Sequence, residues 1–230
     1  MKIAGLQKLT LLDYPEHTAC TVFLWGCNYR CPFCHNARLV TAKCEEMLSE
    51  EEFFAFLRKR QGLLDGVCIT GGEPTLNPEL ADFIRKIRAL GYQVKLDTNG
   101  TNPELLKQLC AEGLVDMVAM DIKNSPEKYP LTAGTEHCGM NAVNESIRFL
   151  MQGTVPYEFR TTIVKNYHTP ADLQRIGQWI HGAAAYYLQG FQDSGELIAE
   201  GLSGCTPAEM QTLLDAVLPD VPNAKLRGVD

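Results

Sequence analysis

The sequence predicts an α/β fold built around a parallel sheet. Two observations support this: strand-like apolar runs alternate with capped helical patterns along the 230 residues, and polar motifs follow four of these runs at equivalent positions. Alternation at this spacing is typical of βαβ units. Six such units fit an open doubly wound sheet or a partial barrel, and in both the chemistry lies at the carboxyl ends of the strands.

Six strands are predicted from apolar runs, at 18–25, 66–70, 93–98, 116–122, 157–164 and 184–191. The helices between them are predicted from their N-terminal signals. Ser49 with Glu52 forms a capping box ahead of FFAFL, whose aromatic side chains we expect in the core. The remaining helices are expected to start at Asn77-Pro78, Asn102-Pro103, near 141, at Thr169-Pro170 and at Thr206-Pro207 with Glu209.

Composition and charge narrow the class of protein. The chain has ordinary globular composition, so we expect one domain over 1–230 with a core at about 18–218. A formal charge of −7 argues against nucleic-acid binding. No apolar run approaches the ~20 residues of a membrane span, and the start lacks a secretory signal. We therefore expect a cytoplasmic protein that binds no membrane, in which clustered cysteines indicate metal or redox chemistry.

The stretch WGCNYRCPFCHN places Cys27, Cys31 and Cys34 in a C-x3-C-x2-C run after the first predicted strand. Structural zinc usually has four ligands in separated pairs, so zinc here would need His35 or Cys44 as the fourth. Iron–sulfur clusters are held by thiolates in compact runs. Three thiolates on a [4Fe–4S] cluster leave one iron open to a substrate or cofactor, which is the interpretation we favour.

With Phe33 before its last cysteine, this run resembles the signature of the radical S-adenosylmethionine superfamily, and residues 71–74 match that superfamily's GGEP motif. The sequence from GLQKLTLLDYP through CHN, ITGGEPTL, LDTNG, MDIK and FRTTIV to YYLQGF resembles the anaerobic ribonucleoside-triphosphate reductase activating proteins, a branch of the glycyl radical enzyme activases. The resemblance covers nearly the full length. Two positions differ from it: Trp25 stands where Gln is expected, and Glu16 where Gly is expected.

The resemblance implies a partial (β/α)6 barrel of the radical S-adenosylmethionine type, with a [4Fe–4S] cluster that cleaves S-adenosylmethionine reductively. The 5′-deoxyadenosyl radical would then abstract hydrogen from a glycine of anaerobic ribonucleoside-triphosphate reductase. Activation of pyruvate formate-lyase or another glycyl radical enzyme, or reaction with a small molecule, is the first alternative. A non-catalytic cysteine-rich module, holding zinc or carrying electrons, is the second. The stretch between Cys34 and Gly71 has no further cysteine run, so we expect one cluster, reduced by flavodoxin or ferredoxin.

The resemblance also implies a cofactor pocket. In it the glycines of GGEP allow close backbone approach, and Glu73 with nearby carbonyls accepts from the methionyl ammonium. Lys123 and Arg160 would face the methionyl carboxylate, each bond contributing about 1.5–3 kcal/mol. The ordinary alternatives are a plain turn and solvated cations. The implied pocket comprises Phe33, Asn36, Gly71, Gly72, Glu73, Pro74, Asp97, Thr98, Lys123 and Arg160, and His35 of the CHN sequence is a further candidate.

Asp97 and Asp121 end adjacent predicted strands, so their carboxylates should repel unless a cation or donor lies between them. In the pyruvate formate-lyase activase type, matching positions hold a monovalent cation, and the resemblance implies one here. The ordinary alternative for Asp97 is a capping role before the Asn99-Gly100 turn.

Overall fold

The computed structural model describes residues 1–42 and 48–229. Its strands form one eight-stranded sheet in sequential order, with β1 antiparallel to β2 and every later pair parallel. The sheet is not closed, which confirms the predicted partial barrel. The strands are β1 (Ile3–Thr10), β2 (Ala19–Leu24), β3 (Gly66–Gly71), β4 (Gln93–Thr98), β5 (Met117–Asp121), β6 (Tyr157–Ile163), β7 (Tyr186–Gly190) and β8 (Ala224–Arg227).

Helices connect successive parallel strands, as the βαβ pattern predicts. They are α1 (Ala37–Thr41), α2 (Glu50–Arg60), a 3-10 helix (Pro74–Leu76), α3 (Leu80–Ala89), α4 (Pro103–Ala111), α5 (Tyr129–Ala133), α6 (Met140–Leu150), α7 (Pro170–Trp179) and α8 (Pro207–Val217). The predicted caps of α2, α4, α7 and α8 are confirmed, because each capping side chain accepts from a backbone N–H in the first turn. Among the described residues, no helix is long and apolar enough to cross a membrane.

The start predicted for the helix after GGEP, which is α3 in the structure, is wrong. Asn77 and Pro78 were expected to cap it, but Asn77 closes the 3-10 helix instead, because its backbone N–H and its Nδ2 both donate to the carbonyl oxygen of Pro74, at 3.0 and 3.1 Å. Helix α3 starts only at Leu80, whose N–H donates to the Asn77 carbonyl. The turn after GGEP is therefore a compact unit separate from α3.

Two strands were not predicted. β1 lies antiparallel at one edge, outside the βαβ pattern, and its burial does not alternate regularly. β8 has four residues, too few to show a period. Both extend the sheet beyond 18–218, and Ile3 and Ala224 are buried.

The core lies between the sheet and the helices that cover it. Val22, Ile69 and Leu96, from neighbouring strands, are fully buried. The expectation for FFAFL is confirmed in its main point, since Phe53 is fully buried and stacks on Phe83 with ring centroids 5.4 Å apart. Because successive strand side chains point to opposite faces, the residues between these apolar positions are directed to the other face of the sheet.

Each of the two positions that depart from the family pattern, Glu16 and Trp25, has an unusual structural feature. Glu16, in the turn between β1 and β2, has φ +65°, and it is the one non-glycine residue with positive φ in the described ranges. Glycine adopts this conformation with least cost, so the backbone retains the form that the expected glycine would take. Trp25 follows β2, and its indole N–H is buried without a hydrogen-bond partner among described residues.

Candidate active site

One cavity of about 230 Å³ opens at the carboxyl ends of β2 to β7. It brings together nearly all of the predicted site residues: Cys27, Cys31, Phe33, Cys34, Asn36, Gly71, Gly72, Glu73, Asp97, Thr98, Asp121, Lys123 and Arg160. His35 also lines it. Pro74 does not; it is the buried first residue of the 3-10 helix, a position that its fixed φ suits.

The cysteine loop, between β2 and α1, is anchored to two other segments. The N–H of Arg30 donates to the carbonyl of Ala133 at 2.8 Å. The Arg30 guanidinium donates to the carbonyls of Cys27 and Tyr29, at 2.7 and 2.8 Å. The phenol of Tyr29 donates to the carbonyl of Cys138 at 2.7 Å. The loop therefore has a defined conformation supported by the chain itself.

The three thiols share a poorly solvated environment. Cys31 is 7% exposed, and Cys27 and Cys34 are half-buried. Burial raises the pKa of all three thiols, that of Cys31 to about 12, while the positive charge of Lys123 lowers it. A coordinating metal deprotonates a thiol, so bound iron offsets this cost. Three thiols in one compact loop fit an iron–sulfur cluster.

A single metal ion fits the described residues less well. No group of three or more His, Cys, Asp or Glu side chains among residues 1–42 and 48–229 is placed to hold one ion. His35, one candidate for a fourth zinc ligand, instead packs against Phe191 with ring centroids 5.6 Å apart. Cys44, the other candidate, lies outside the described residues.

The glycines of GGEP bring two segments of the site into contact. Gly71 has φ +120°, and a Cβ on Gly72 would lie 1.9 Å from the carbonyl oxygen of Gly26. The N–H of Glu73 donates to that same oxygen at 2.8 Å. The close approach predicted for these glycines is therefore an approach to the first turn of the cysteine loop. This contact fixes the distance between the GGEP turn and the cysteine loop.

Glu73 is 1% exposed, and its carboxylate accepts four hydrogen bonds. Oε1 accepts from the N–H and the hydroxyl of Thr75, at 3.0 and 2.5 Å, and from the hydroxyl of Thr98 at 2.8 Å. Oε2 accepts from the N–H of Asn99 at 2.6 Å. Burial raises the pKa of Glu73, and these donors act in the opposite direction. Glu73 thus joins the turns that follow β3 and β4.

A chain of ion pairs forms the other side of the cavity. Asp97 accepts from Lys95 at 2.6 Å and from Arg160 Nη1 at 3.2 Å. Asp121 accepts from Lys123 at 2.9 Å and from Arg160 Nε at 3.1 Å, and Arg160 Nη2 lies 3.0 Å from Asp121 Oδ1. Although burial opposes ionisation, Lys123 and Arg160 lower the pKa of Asp121 to about 2. The pKa of Asp97 is lowered as well, because Arg160 and Lys95 outweigh its burial.

The guanidinium of Arg160 lies between the two carboxylates that were expected to repel. It contacts both Asp97 and Asp121, so this arrangement does not fit the implied monovalent cation between them. Lys123 and Arg160 line the cavity with Asp97 and Asp121, and the buried Lys95 behind them gives the five ion-paired groups one net positive charge. That charge complements an anionic group of a ligand.

Two buried residues that support the ionic groups were missed. Lys95 is 1% exposed and is on the same face of β4 as Asp97. Two charged residues at alternate positions of an apolar strand were a signal in QVKLDT. His168 accepts from the N–H of Val164 at 3.1 Å, and its Nε2 donates to the carbonyl of Lys123 at 3.0 Å. No spacing in the sequence indicated this link.

The chain matches the family model described as the radical SAM superfamily over residues 22–168. It is 32% identical over 196 residues to a Methanocaldococcus jannaschii protein named "Putative glycyl-radical enzyme activating enzyme MJ1227", covering 83% of this chain and 80% of that one. It is 30% identical over 132 residues to the pyruvate formate-lyase-activating enzyme of Clostridium pasteurianum, covering 54% of this chain and 52% of that one. Among solved structures, Streptococcus suis SuiB bound to S-adenosylmethionine superposes with a TM-score of 0.68 at 12% identity, covering 88% of this chain and 48% of that one.

The chain therefore belongs to the radical S-adenosylmethionine superfamily, whose members use a [4Fe–4S] cluster and S-adenosylmethionine. Within it, the protein is an activating enzyme of glycyl radical enzymes, and its partner is a glycyl radical enzyme.

Proposed function

We propose that this activase acts on an anaerobic ribonucleoside-triphosphate reductase and places the radical on a backbone glycine of that enzyme. The observation that carries the proposal is the convergence of three thiols, Glu73 and Lys123 in one cavity at the strand ends. The choice of the reductase is supported by the sequence resemblance from residue 5 to 191. A glycine suits the reaction because its Cα radical is delocalised between two amides and no side chain blocks approach.

In this proposal Cys27, Cys31 and Cys34 hold the cluster, and a flavodoxin or ferredoxin reduces it. When bound, the cluster would supply the one electron that cleaves the carbon–sulfur bond of S-adenosylmethionine to methionine and the 5′-deoxyadenosyl radical, which would take a hydrogen atom from the glycine and become 5′-deoxyadenosine. The anchored loop holds the three thiols together, and their burial limits access of water.

Lys123 binds the methionyl carboxylate. Its side chain is 18% exposed, and its Nζ donates to one carboxylate oxygen of Asp121 and has further N–H groups to donate. Arg160 is already paired with both carboxylates, since Nε donates to Asp121, Nη1 donates to Asp97 and Nη2 lies 3.0 Å from Asp121. Its part is to keep both carboxylates ionised and to add positive charge to this side. Asp97 and Asp121 in turn orient the two cations.

Glu73 acts on the methionyl ammonium through charge and through the backbone it holds. Its four hydrogen bonds fix the adjoining carbonyls at the cavity wall. Asn36 Nδ2 donates to the carbonyl of Gly71 at 3.1 Å and ties the cysteine loop to the same wall. Phe33, Gly72 and Thr98 complete the pocket.

The ligand assignment is tested by reconstituting the protein with iron and sulfide without oxygen. Replacing Cys27, Cys31 or Cys34 with Ala should abolish cleavage of S-adenosylmethionine and most cluster binding. The matched control is Cys110→Ala on α4, away from the cavity, which should retain both. A Cys31→Ala variant with wild-type iron content would contradict the assignment.

The partner is tested by mixing the reduced protein, S-adenosylmethionine and the reductase of the same cell without oxygen. A glycyl doublet in the electron paramagnetic resonance spectrum, lost when the target glycine is changed to alanine, is the expected result. The similarity to a pyruvate formate-lyase-activating enzyme makes pyruvate formate-lyase the second candidate. Cofactor cleavage with a glycyl signal on that enzyme alone would transfer the assignment to it.

A further inference from the structure

A closed ring of three side chains ties the cysteine loop to the turn after β4. Asn28 Nδ2 donates to Thr101 Oγ1 at 2.9 Å, Thr101 Oγ1 donates to Asn99 Oδ1 at 2.7 Å, and Asn99 Nδ2 donates to Asn28 Oδ1 at 2.8 Å. Each side chain is both donor and acceptor. Hydrogen bonds linked in this way polarise and strengthen one another.

The ring is held firmly on the side of Asn99. This residue is buried, its backbone N–H donates to Glu73 Oε2 at 2.6 Å, and its Oδ1 also accepts from the N–H of Thr101 at 3.0 Å. These bonds leave the Asn99 amide group directed at Asn28. Asn28 itself is exposed and does not line the cavity. Asn99 lines the cavity, so the ring connects the cavity wall to the exposed side of the cysteine loop.

The residue that follows Asn28 makes a hydrogen bond to a cysteine sulfur. The N–H of Tyr29 donates to Cys27 Sγ at 3.4 Å. The peptide that carries this N–H joins Asn28, held by the ring, to Tyr29, whose phenol is held by the carbonyl of Cys138. With both ends fixed, the N–H stays directed at the sulfur.

Hydrogen bonds to cysteine sulfur are among the factors that set the reduction potential of an iron–sulfur cluster. Reduction adds one electron and thus one negative charge. An N–H dipole directed at a ligand sulfur stabilises the more negative state, so it raises the potential. A loop in which this N–H turned away would hold the same cluster at a lower potential.

We propose that the ring of Asn28, Asn99 and Thr101 positions the Tyr29 N–H on the Cys27 sulfur and thereby raises the reduction potential of the cluster. The inference rests on the proposed function, in which Cys27 is a cluster ligand. Asn99 is the central positioning residue, because it alone contacts both Glu73 and the cysteine loop. The potential matters because the electron must come from a protein donor of limited reducing power.

The test uses the reconstituted holoprotein and two variants that open the ring outside the cavity. Asn28→Ala removes one member, and Thr101→Val replaces the hydroxyl with a methyl group of similar size. Both should lower the midpoint potential, measured by redox titration with paramagnetic resonance detection. The expected fall is about tenfold in the reduction equilibrium, which is 59 mV for one electron. The Fe–S(Cys) bands in the resonance Raman spectrum should shift as well.

Thr101→Ser is the matched control, because it keeps the hydroxyl and should keep the wild-type potential. The ring inference is overturned if Asn28→Ala and Thr101→Val hold a full cluster at the wild-type potential. It is overturned equally if Thr101→Ser shifts the potential as far as Thr101→Val. A Cys27→Ala protein that retains the complete cluster would instead refute the proposed ligand set, and this inference with it.

Discussion

Two sides of the cavity hold buried carboxylates by different means. The hydrogen-bonded side consists of Glu73 and its neutral donors Thr75, Thr98 and Asn99. The ionic side consists of Lys95, Asp97, Asp121, Lys123 and Arg160. Burial raises the pKa of Glu73, whereas the adjacent cations lower that of Asp121 to about 2. Burial raises the pKa of both carboxylates, but only at Asp121 do adjacent cations outweigh that effect.

The difference separates two tasks. Neutral donors fix the position of Glu73 and join the turns after β3 and β4, and they add no positive charge beside its carboxylate. Ion pairs fix positions too, but they leave a net positive charge for an anionic ligand. The hydrogen-bonded side thus holds one carboxylate without a cation, whereas the ionic side holds two carboxylates among three cations.

The largest effect is expected from breaking the buried end of the ionic side. Lys95→Met removes the partner of Asp97 Oδ1 at a position that is 1% exposed. Removing one member of a buried pair costs about 3–5 kcal/mol. Asp97 would keep only the longer contact to Arg160 Nη1, at 3.2 Å, at a site where little water can replace the lost ammonium. Urea unfolding without oxygen would measure this loss of stability.

The control for Lys95→Met lies in the same chain of ion pairs. Lys123→Met leaves Asp121 its bonds to Arg160, and Asp121 is 32% exposed to water. Its cost in stability should stay below about 1 kcal/mol. If Lys95→Met and Lys123→Met destabilised the protein equally, the difference in burial between the two lysines would not determine how much each ion pair contributes to stability.

A second test breaks the hydrogen-bonded side. Glu73→Gln keeps the shape of the side chain but turns an NH2 group toward donors that need an acceptor. Leaving a buried donor unpaired costs about 1–3 kcal/mol, so we expect a loss in that range. The matched control is Glu51→Gln on the exposed face of α2, which should change unfolding by less than about 0.5 kcal/mol. If Glu73→Gln left the free energy of unfolding unchanged, the carboxylate would not be what joins the two turns.

The sequence predicted most residues that line the cavity, but it predicted few of the contacts that hold those residues in place. The cysteine spacing, the rule that parallel strands end at one edge, and the resemblance to a known superfamily together predicted thirteen residues that line one cavity. The donors around Glu73 could not be predicted, since they depend on how the turns after β3 and β4 fold over one another. Lys95 could have been found from the alternation in QVKLDT, because it shares a strand face with Asp97.

In the fold as well, local features were predicted correctly and features that depend on competing or distant contacts were not. Caps predicted the starts of α2, α4, α7 and α8, because a capping side chain acts on its own first turn. The start of α3 was missed because Asn77 bonds back to Pro74, an interaction that competes with capping. β1 was missed because an antiparallel edge strand has no place in a βαβ repeat.

A third test compares how the stability contributed by each side of the cavity changes with pH. Because the folded-state pKa of Asp121 lies near 2, below the ordinary 3.8, its ionisation stabilises the fold above pH 3.8. That contribution is lost as pH falls through 2, and it amounts to no more than about 2 kcal/mol. Asp121→Asn should therefore flatten the fall in stability between pH 4 and 2.

Glu73 should respond in the reverse sense. Its folded-state pKa is raised, so the wild type loses stability relative to Glu73→Gln as pH rises from 4.5 through that pKa. Urea unfolding at a series of pH values gives both differences. Parallel slopes for the two variants would contradict the division of the cavity into two sides.

The smallest effect is expected from removing a single donor of Glu73. Thr98→Val deletes the hydroxyl that donates to Oε1 at 2.8 Å and that also accepts from the N–H of Gly100 at 3.1 Å. The methyl group fills the same space, and three donors to Glu73 remain, so the loss should be about 1 kcal/mol. Thr98→Ser retains the hydroxyl and should lie within about 0.5 kcal/mol of the wild type. If Thr98→Val cost as much as Glu73→Gln, the four bonds would act as one cooperative unit, and the independence of the donors assumed here would be wrong.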